Sequence, residues 1–254
     1  MTIYQRMLDA SRNEGRKLAI LVDPDKAGAS DLERLGQEAS TADVDFFFVG
    51  GSLLSEGTME GTIPQLRRNS DLPIVLFPGS TMQVHPHADA ILFLSLISGR
   101  NPELLIGRHV EVAPFIKRSG MEVIPTGYML IDGGKPTSAS YMSNTLPIPY
   151  DKPDIAASTA LAGEMLGMQA IYLEAGSGAL NSVSLQMVEA VGETVDIPII
   201  VGGGVRDPET AHVLCEAGAD IIVVGTRVEN DVHSLHELTA AVHEGGLKPR
   251  VQVS

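Results

Sequence analysis

The chain has 254 residues, 44% of them hydrophobic and 20% charged, with 32 acidic against 18 basic side chains and a formal net charge of −14. That composition excludes a disordered chain, and the negative charge weighs against non-specific nucleic-acid or anionic-membrane binding. One cysteine excludes a disulfide framework or a multi-thiolate metal site, and 4% aromatic residues with no tryptophan leave little for base stacking.

The first twenty residues hold no signal-peptide apolar core ahead of their charges, and no apolar run approaches the ~20 residues of a bilayer span. A soluble, reducing, cytoplasmic setting is expected. From residue 18 onward short apolar runs alternate with helical segments. Run one (18–22) stops at Asp23-Pro24, run two (44–49) at Gly50-Gly51-Ser52, and run three (73–77) at Pro78-Gly79-Ser80. Runs four (90–94) and five (122–131) follow. Run six (170–174) stops at Ala175-Gly176-Ser177-Gly178, run seven (197–201) at Gly202-Gly203-Gly204, and run eight (220–224) at Gly225-Thr226.

Near-continuous apolar strands belong to a parallel sheet covered on both faces, and their alternation with helices predicts an α/β chain. Eight of them across residues 1–254 fit a single (β/α)8 TIM barrel, with a doubly wound open sheet as the rival that strand number alone leaves open. Asp207-Pro208-Glu209-Thr210 is an N-cap, a Pro at N1 and an acidic first turn; Asn101-Pro102-Glu103 repeats it. Residues 30–33 and 154–166 read as helical, and Gly120 and Gly218 sit where helices end. Residues 79–89 contain Pro86 and are too short for a covering helix. A barrel missing its helix between strands three and four would expose an apolar groove on its flank. Residues 132–153, rich in Gly, Pro, Ser and Asn, read as a long loop, a lid or a rim.

Barrel sites lie at the C-terminal ends of strands. There, Gly203, Gly204, Gly225 and Thr226 flank a capped helix, the device that gathers backbone N–H groups around a phosphate; tight βα turns are the plainer alternative. Asp23, with Ser52 on the neighbouring strand, can hold Mg²⁺ or act as a base, although Asp-Pro-Asp is also ordinary turn grammar. Lys26 by itself reads as a surface lysine. Tyr172 and Glu174 share one strand face, placing a hydroxyl and a carboxylate beside the phosphate loops, where the carboxylate takes an alcohol proton or merely orients hydroxyls. Ser177 and Gly178 extend that loop. His85 and His87 lack the further ligands of a zinc site, His109 reads as a surface or edge histidine, and Cys215 as a core thiol.

The strings LVDPDK, VGGS, YLEAGSG, VGGGVRDPETA and VVGT, in that order, resemble the geranylgeranylglyceryl phosphate synthases over nearly the whole chain. Ser95-Leu96-Ile97-Ser98-Gly99-Arg100-Asn101-Pro102 looks like the larger archaeal and bacterial group of that family, whose barrel lacks the helix between strands three and four. The resemblance implies transfer of a geranylgeranyl group from its diphosphate to the C3 hydroxyl of sn-glycerol 1-phosphate, forming the first ether bond of ether phospholipids and releasing diphosphate. Bacterial relatives with longer grooves use heptaprenyl diphosphate. It implies Mg²⁺ on Asp23 and Ser52, and glycerol phosphate on Gly203, Gly204, Gly225 and Thr226. The segment Tyr172, Leu173, Glu174, Ala175, Gly176, Ser177 and Gly178 would hold the glycerol, with Glu174 and Tyr172 catalytic. Tyr128 would form a wall of the tail groove. Homo-oligomers built from dimers, up to hexamers, and no stable membrane insertion are further implications. The alternatives are a sugar-phosphate isomerase barrel using Asp23 and Asp132, a flavin barrel, and a non-catalytic phosphate-binding barrel.

Overall fold

The computed structural model describes residues 1–12, 15–225 and 232–245. All eight apolar runs are strands: β1 (Lys17–Val22), β2 (Phe46–Val49), β3 (Ile74–Leu76), β4 (Ala90–Leu96), β5 (Glu122–Leu130), β6 (Ala170–Glu174), β7 (Ile199–Gly202) and β8 (Ile221–Gly225). Each pairs in parallel with the next, and β8 returns to β1 through Lys17↔Ile221 to Leu21↔Gly225, so the sheet is a closed barrel. The open-sheet rival is thereby removed.

Two apolar layers follow from the period-two alternation of strand side chains. Ala19, Phe46, Phe48, Val75, Leu92, Tyr172 and Ile200 fill the bore. Leu18, Phe47, Ile74, Ile171, Leu173 and Val201 face outward into the layer beneath the helices. Those helices are α2 (Ala29–Thr41), α3 (Met59–Asn69), α4 (Arg108–Ser119), α6 (Pro153–Met165), α7 (Leu185–Gly192), α8 (Pro208–Glu216) and α9 (Val232–Glu244). Asp207 caps α8 as its sequence predicts, accepting from the Thr210 N–H at 2.7 Å, and Gly120 ends α4 at φ +74°. Cys215 is a fully buried core thiol whose pKa burial pushes up to about 12.

Three elements differ from the sequence reading. An N-terminal helix α1 (Ile3–Ser11) was not expected; its signals are Thr2 as N-cap and apolar Ile3, Met7 and Ala10 at helical spacing. It plugs the base of the bore with Ile3 and Met7. The Glu122 carboxylate accepts from the Ile3 N–H (2.6 Å) and the Tyr4 N–H (3.0 Å), placing negative charge at a helix N-terminus. The segment 132–153 is not one loop, since it folds a short helix α5 (Ser138–Ser143) and a bridge from Ile131 to Ile148. The turn before α4 is a wide π turn, Glu103–Gly107, which no residue pattern announced.

Between β3 and β4 the chain makes only a single 3-10 turn, Thr81–Gln83. The covering helix is absent there, as residues 79–89 predicted. Also at the base, Arg16 and Asp220 form a buried ion pair; Arg16 Nη1 further donates to the Ala10 carbonyl at 3.0 Å, and Asp220 Oδ2 accepts from the Ile199 N–H at 2.8 Å.

Candidate active site

At the opposite end, β6 turns Tyr172 and Glu174 toward the bore. Both are buried. Glu174 Oε1 accepts from the Gly176 N–H at 2.6 Å. Burial pushes the Glu174 carboxyl up to about 7, against the opposing pull of the Gly176 N–H and the neighbouring Tyr172 hydroxyl. The Tyr172 hydroxyl is buried beside this carboxylate yet makes no well-aligned hydrogen bond among the described residues. Burial, then the Glu174 charge, lifts its pKa well above the ordinary phenol range. Its ring stacks on Phe77 (centroids 4.9 Å apart) and meets Tyr128 edge-on (5.5 Å). A buried hydroxyl without a well-aligned bond is costly, so its place beside a carboxylate points to a bound group that supplies the missing bond. Leu173 and Ala175, also expected to touch substrate, turn their side chains outward into the helix-facing layer, which leaves only their backbone for a ligand.

The expected phosphate loops surround this pair. Gly203 has φ +83°, and a Cβ there would lie 2.6 Å from Glu174 Oε1, so a side chain would disturb both the turn and the carboxylate. Gly204 follows at φ +73°. Gly225 is different: it is exposed, and a Cβ there would meet nothing within 4 Å among the described residues. No contact with a described residue demands glycine at that position. Ser177 and Gly178 are exposed at the same mouth, and a Cβ on Gly178 would meet only Lys135 Nζ, at 3.8 Å. Thr226 lies outside the described residues.

Asp23 and Ser52 stand at the ends of β1 and β2. Asp23 Oδ2 pairs with Lys26 Nζ at 2.6 Å, and a Cβ on Gly51 would sit 3.3 Å from Asp23 Oδ1. Asp25 is committed elsewhere: it accepts from the Ser55 N–H and hydroxyl and from the Glu56 and Gly57 N–H groups. These bonds, led by the Ser55 hydroxyl, hold its pKa down to about 2. Sequence reading missed Gln83. Its buried amide Oε1 accepts from the Gly51 and Gly79 N–H groups (3.0 and 3.1 Å), and its Nε2 donates to the Gly51 carbonyl (2.8 Å). It therefore fastens the loops that carry Ser52 and Ser80. A glutamine in a Pro- and His-rich loop offers no pattern by which to find it.

One carboxylate and one hydroxyl are hard oxygen donors of the kind Mg²⁺ accepts when substrate phosphates and water complete its shell. No group of three or more His, Cys, Asp and Glu gathers among the described residues. Asp132 accepts from the Gly134 N–H in its own turn (2.9 Å) and is exposed.

The uncovered flank holds a groove of about 390 Å³, lined by Leu54, Val84, Ile91, Phe93, Leu104 and Val112 with Tyr128 and Phe77 at its inner end. Since Phe77 and Tyr128 touch Tyr172, the groove leads to the Glu174 pair. His109 is not the surface or edge histidine its helical position suggests: it is buried, lies edge-on to Phe93 at 4.4 Å and lines the groove, and burial lowers its pKa. No helix among the described residues is long and apolar enough to cross a membrane.

The PcrB family model matches residues 11–244. A geranylgeranylglyceryl phosphate synthase of Chitinophaga pinensis is 51% identical over 241 residues, covering 95% of this chain and 96% of the relative. One of Spirosoma linguale is 52% identical over 231 residues, covering 91% and 93%. The crystal structure of (S)-3-O-geranylgeranylglyceryl phosphate synthase from Thermoplasma acidophilum in complex with sn-glycerol-1-phosphate superposes with TM-score 0.90 at 36% identity, covering 96% of this chain and 99% of that one.

Proposed function

Because the chain belongs to the PcrB family, we propose that it joins geranylgeranyl diphosphate to the C3 hydroxyl of sn-glycerol 1-phosphate, making the first ether bond of ether phospholipids. The observation that carries this reading is the buried Glu174 carboxylate beside a Tyr172 hydroxyl that makes no well-aligned hydrogen bond among the described residues, at the meeting point of a glycine cradle and an apolar groove.

Gly203, Gly204, Gly225 and Thr226 hold the glycerol phosphate through backbone and hydroxyl donors. Tyr172, Ser177 and Gly178 hold the glycerol. The C3 oxygen bonds to C1 of the prenyl chain, the C1–O bond to diphosphate breaks, and the hydroxyl proton passes to the Glu174 oxygen that the Gly176 N–H leaves free. A carboxylate poised near pH 7 suits that transfer. The allylic C1 shares developing positive charge with its double bond, so positioning and electrostatics carry most of the rate. Asp23 and Ser52 would hold Mg²⁺ against the diphosphate; when bound, the ion eases charge onto the leaving group. The groove along β3, β4 and α4 takes the tail, with Tyr128 as a wall. A cytoplasmic setting and dimer-based homo-oligomers complete the proposal.

The test is transfer of radiolabelled sn-glycerol 1-phosphate into the organic phase, with prenyl diphosphates of graded length, with Mg²⁺ and with chelator. Label with the C20 donor and Mg²⁺ alone supports the full reading. Label only with a longer donor overturns the tail length, label in chelator overturns the metal, and no label with any donor overturns the transferase.

A further inference from the structure

A chain of net charge −14 that takes a diphosphate must supply positive charge locally. At the mouth, Lys26 is already paired with Asp23, and Lys135 lies on the Gly178 side, by the loop that would hold the glycerol, not in the groove. The groove has one lysine or arginine among its described lining residues, Arg108. It begins α4 and reaches across the missing-helix gap, where its Nη1 lies 3.4 Å from the Gly79 carbonyl, a long bond that leaves most of the guanidinium donors unspent. Gly79 is packed on the second strand's loop so closely that a Cβ there would lie 3.0 Å from the Ser52 Cα. Arg108 is thus one residue's breadth from Ser52. Ser80 and Thr81 line the same end of the groove. Of the acids near it along the chain, Glu103 is folded back over Gly107 and Glu111 lies in the first turn of α4, and neither makes an ion pair with Arg108 among the described residues.

We infer that Arg108 binds the diphosphate of the prenyl donor at the polar end of the groove, which rests on the transferase reading above. A guanidinium fork matches two diphosphate oxygens at once, and Arg108 offers it from the start of α4 at the groove. The arrangement clamps the leaving group between the second strand's loop and the first turn of α4, and leaves the glycerol phosphate cradle untouched.

The experiment compares the full chain with its Arg108→Gln and Arg108→Lys variants. Arg108→Gln is expected to raise KM for geranylgeranyl diphosphate roughly ten- to a hundredfold while KM for sn-glycerol 1-phosphate stays within about twofold, the signature of one lost charge-assisted contact. Arg108→Lys recovers part of the loss. Calorimetric binding of geranylgeraniol, which has no diphosphate, stays at the wild-type value. An unchanged KM for the diphosphate overturns the inference, and so does an equal loss of geranylgeraniol binding, which would make Arg108 a wall for the tail. Should the wild type transfer nothing, the transferase reading fails by itself. Inorganic pyrophosphate then decides Arg108: weaker binding by Arg108→Gln sustains the anion site, and equal binding removes it.

Discussion

The two ends of this barrel treat their buried charges differently. At the base, Glu122 is spent on the first N–H groups of α1, and Asp220 and the Ala10 carbonyl engage Arg16 Nη1 in a buried cluster that leaves Arg16 Nε without a partner among the described residues. At the mouth, the Gly176 N–H engages one Glu174 oxygen, the Tyr172 hydroxyl beside it makes no well-aligned hydrogen bond among the described residues, and a Cβ on Gly225 would meet none of them within 4 Å. A buried charge paired within the chain, as Arg16 is with Asp220, stabilises it, whereas a buried carboxyl with no counter-ion among the described residues, as Glu174 is, is held ready for something that binds.

Breaking the base gives the largest effect expected. Asp220→Ala leaves the Arg16 guanidinium buried without its counter-charge, which costs on the order of 3–5 kcal/mol of folding stability, measured by denaturant unfolding. Breaking the mouth separates activity from stability. Glu174→Gln removes the proton acceptor and should cut turnover ~10²-fold or more at an unchanged fold. The same variant carries a pH signature. Folded Glu174 keeps its proton up to about 7, whereas the unfolded residue loses it near 4.5, so the wild-type margin is largest below 4.5 and is lost as pH rises through about 7. Glu174→Gln therefore gains thermal stability over wild type above pH 7, by up to roughly 3 kcal/mol, and gains nothing below pH 4.5. An equal loss of stability at every pH would place Glu174 with the structural groups of the base.

A smaller change sharpens the contrast within the glycine loops. Gly225→Ala meets no described residue within 4 Å and should leave the unfolding midpoint in place while raising KM for sn-glycerol 1-phosphate, by about tenfold if the methyl takes the room of a phosphate contact. Unchanged KM would remove Gly225 from the cradle.

Much of this was legible in the sequence because it depends on local pattern. Eight apolar runs and their glycine stops follow from what a doubly covered parallel strand must be, and Pro86 in a short gap forbade a helix. The pairing of Tyr172 with Glu174 on one face followed from strand periodicity. What escaped depends on partners far along the chain. Gln83 matters through loops that follow β2 and β3, and nothing beside it in the sequence says so. Glu122 caps a helix 119 residues away, which hid the role of both. His109 looked like a helix-surface residue until the absent neighbour turned its side of α4 into a groove wall.

The closure of β8 on β1 sets an order of events during synthesis. Lys17 waits for Ile221, Arg16 for a carboxylate 204 residues later, and α1 for Glu122. Until β8 leaves the ribosome, the nascent sheet has two raw edges and a positive charge with no burial partner. Such edges invite pairing with other chains, and contacts this distant form slowly. The completed ring has no edge at all, so the stage of greatest exposure to aggregation ends in one late step, when the final strand docks and the base ion pair locks behind it.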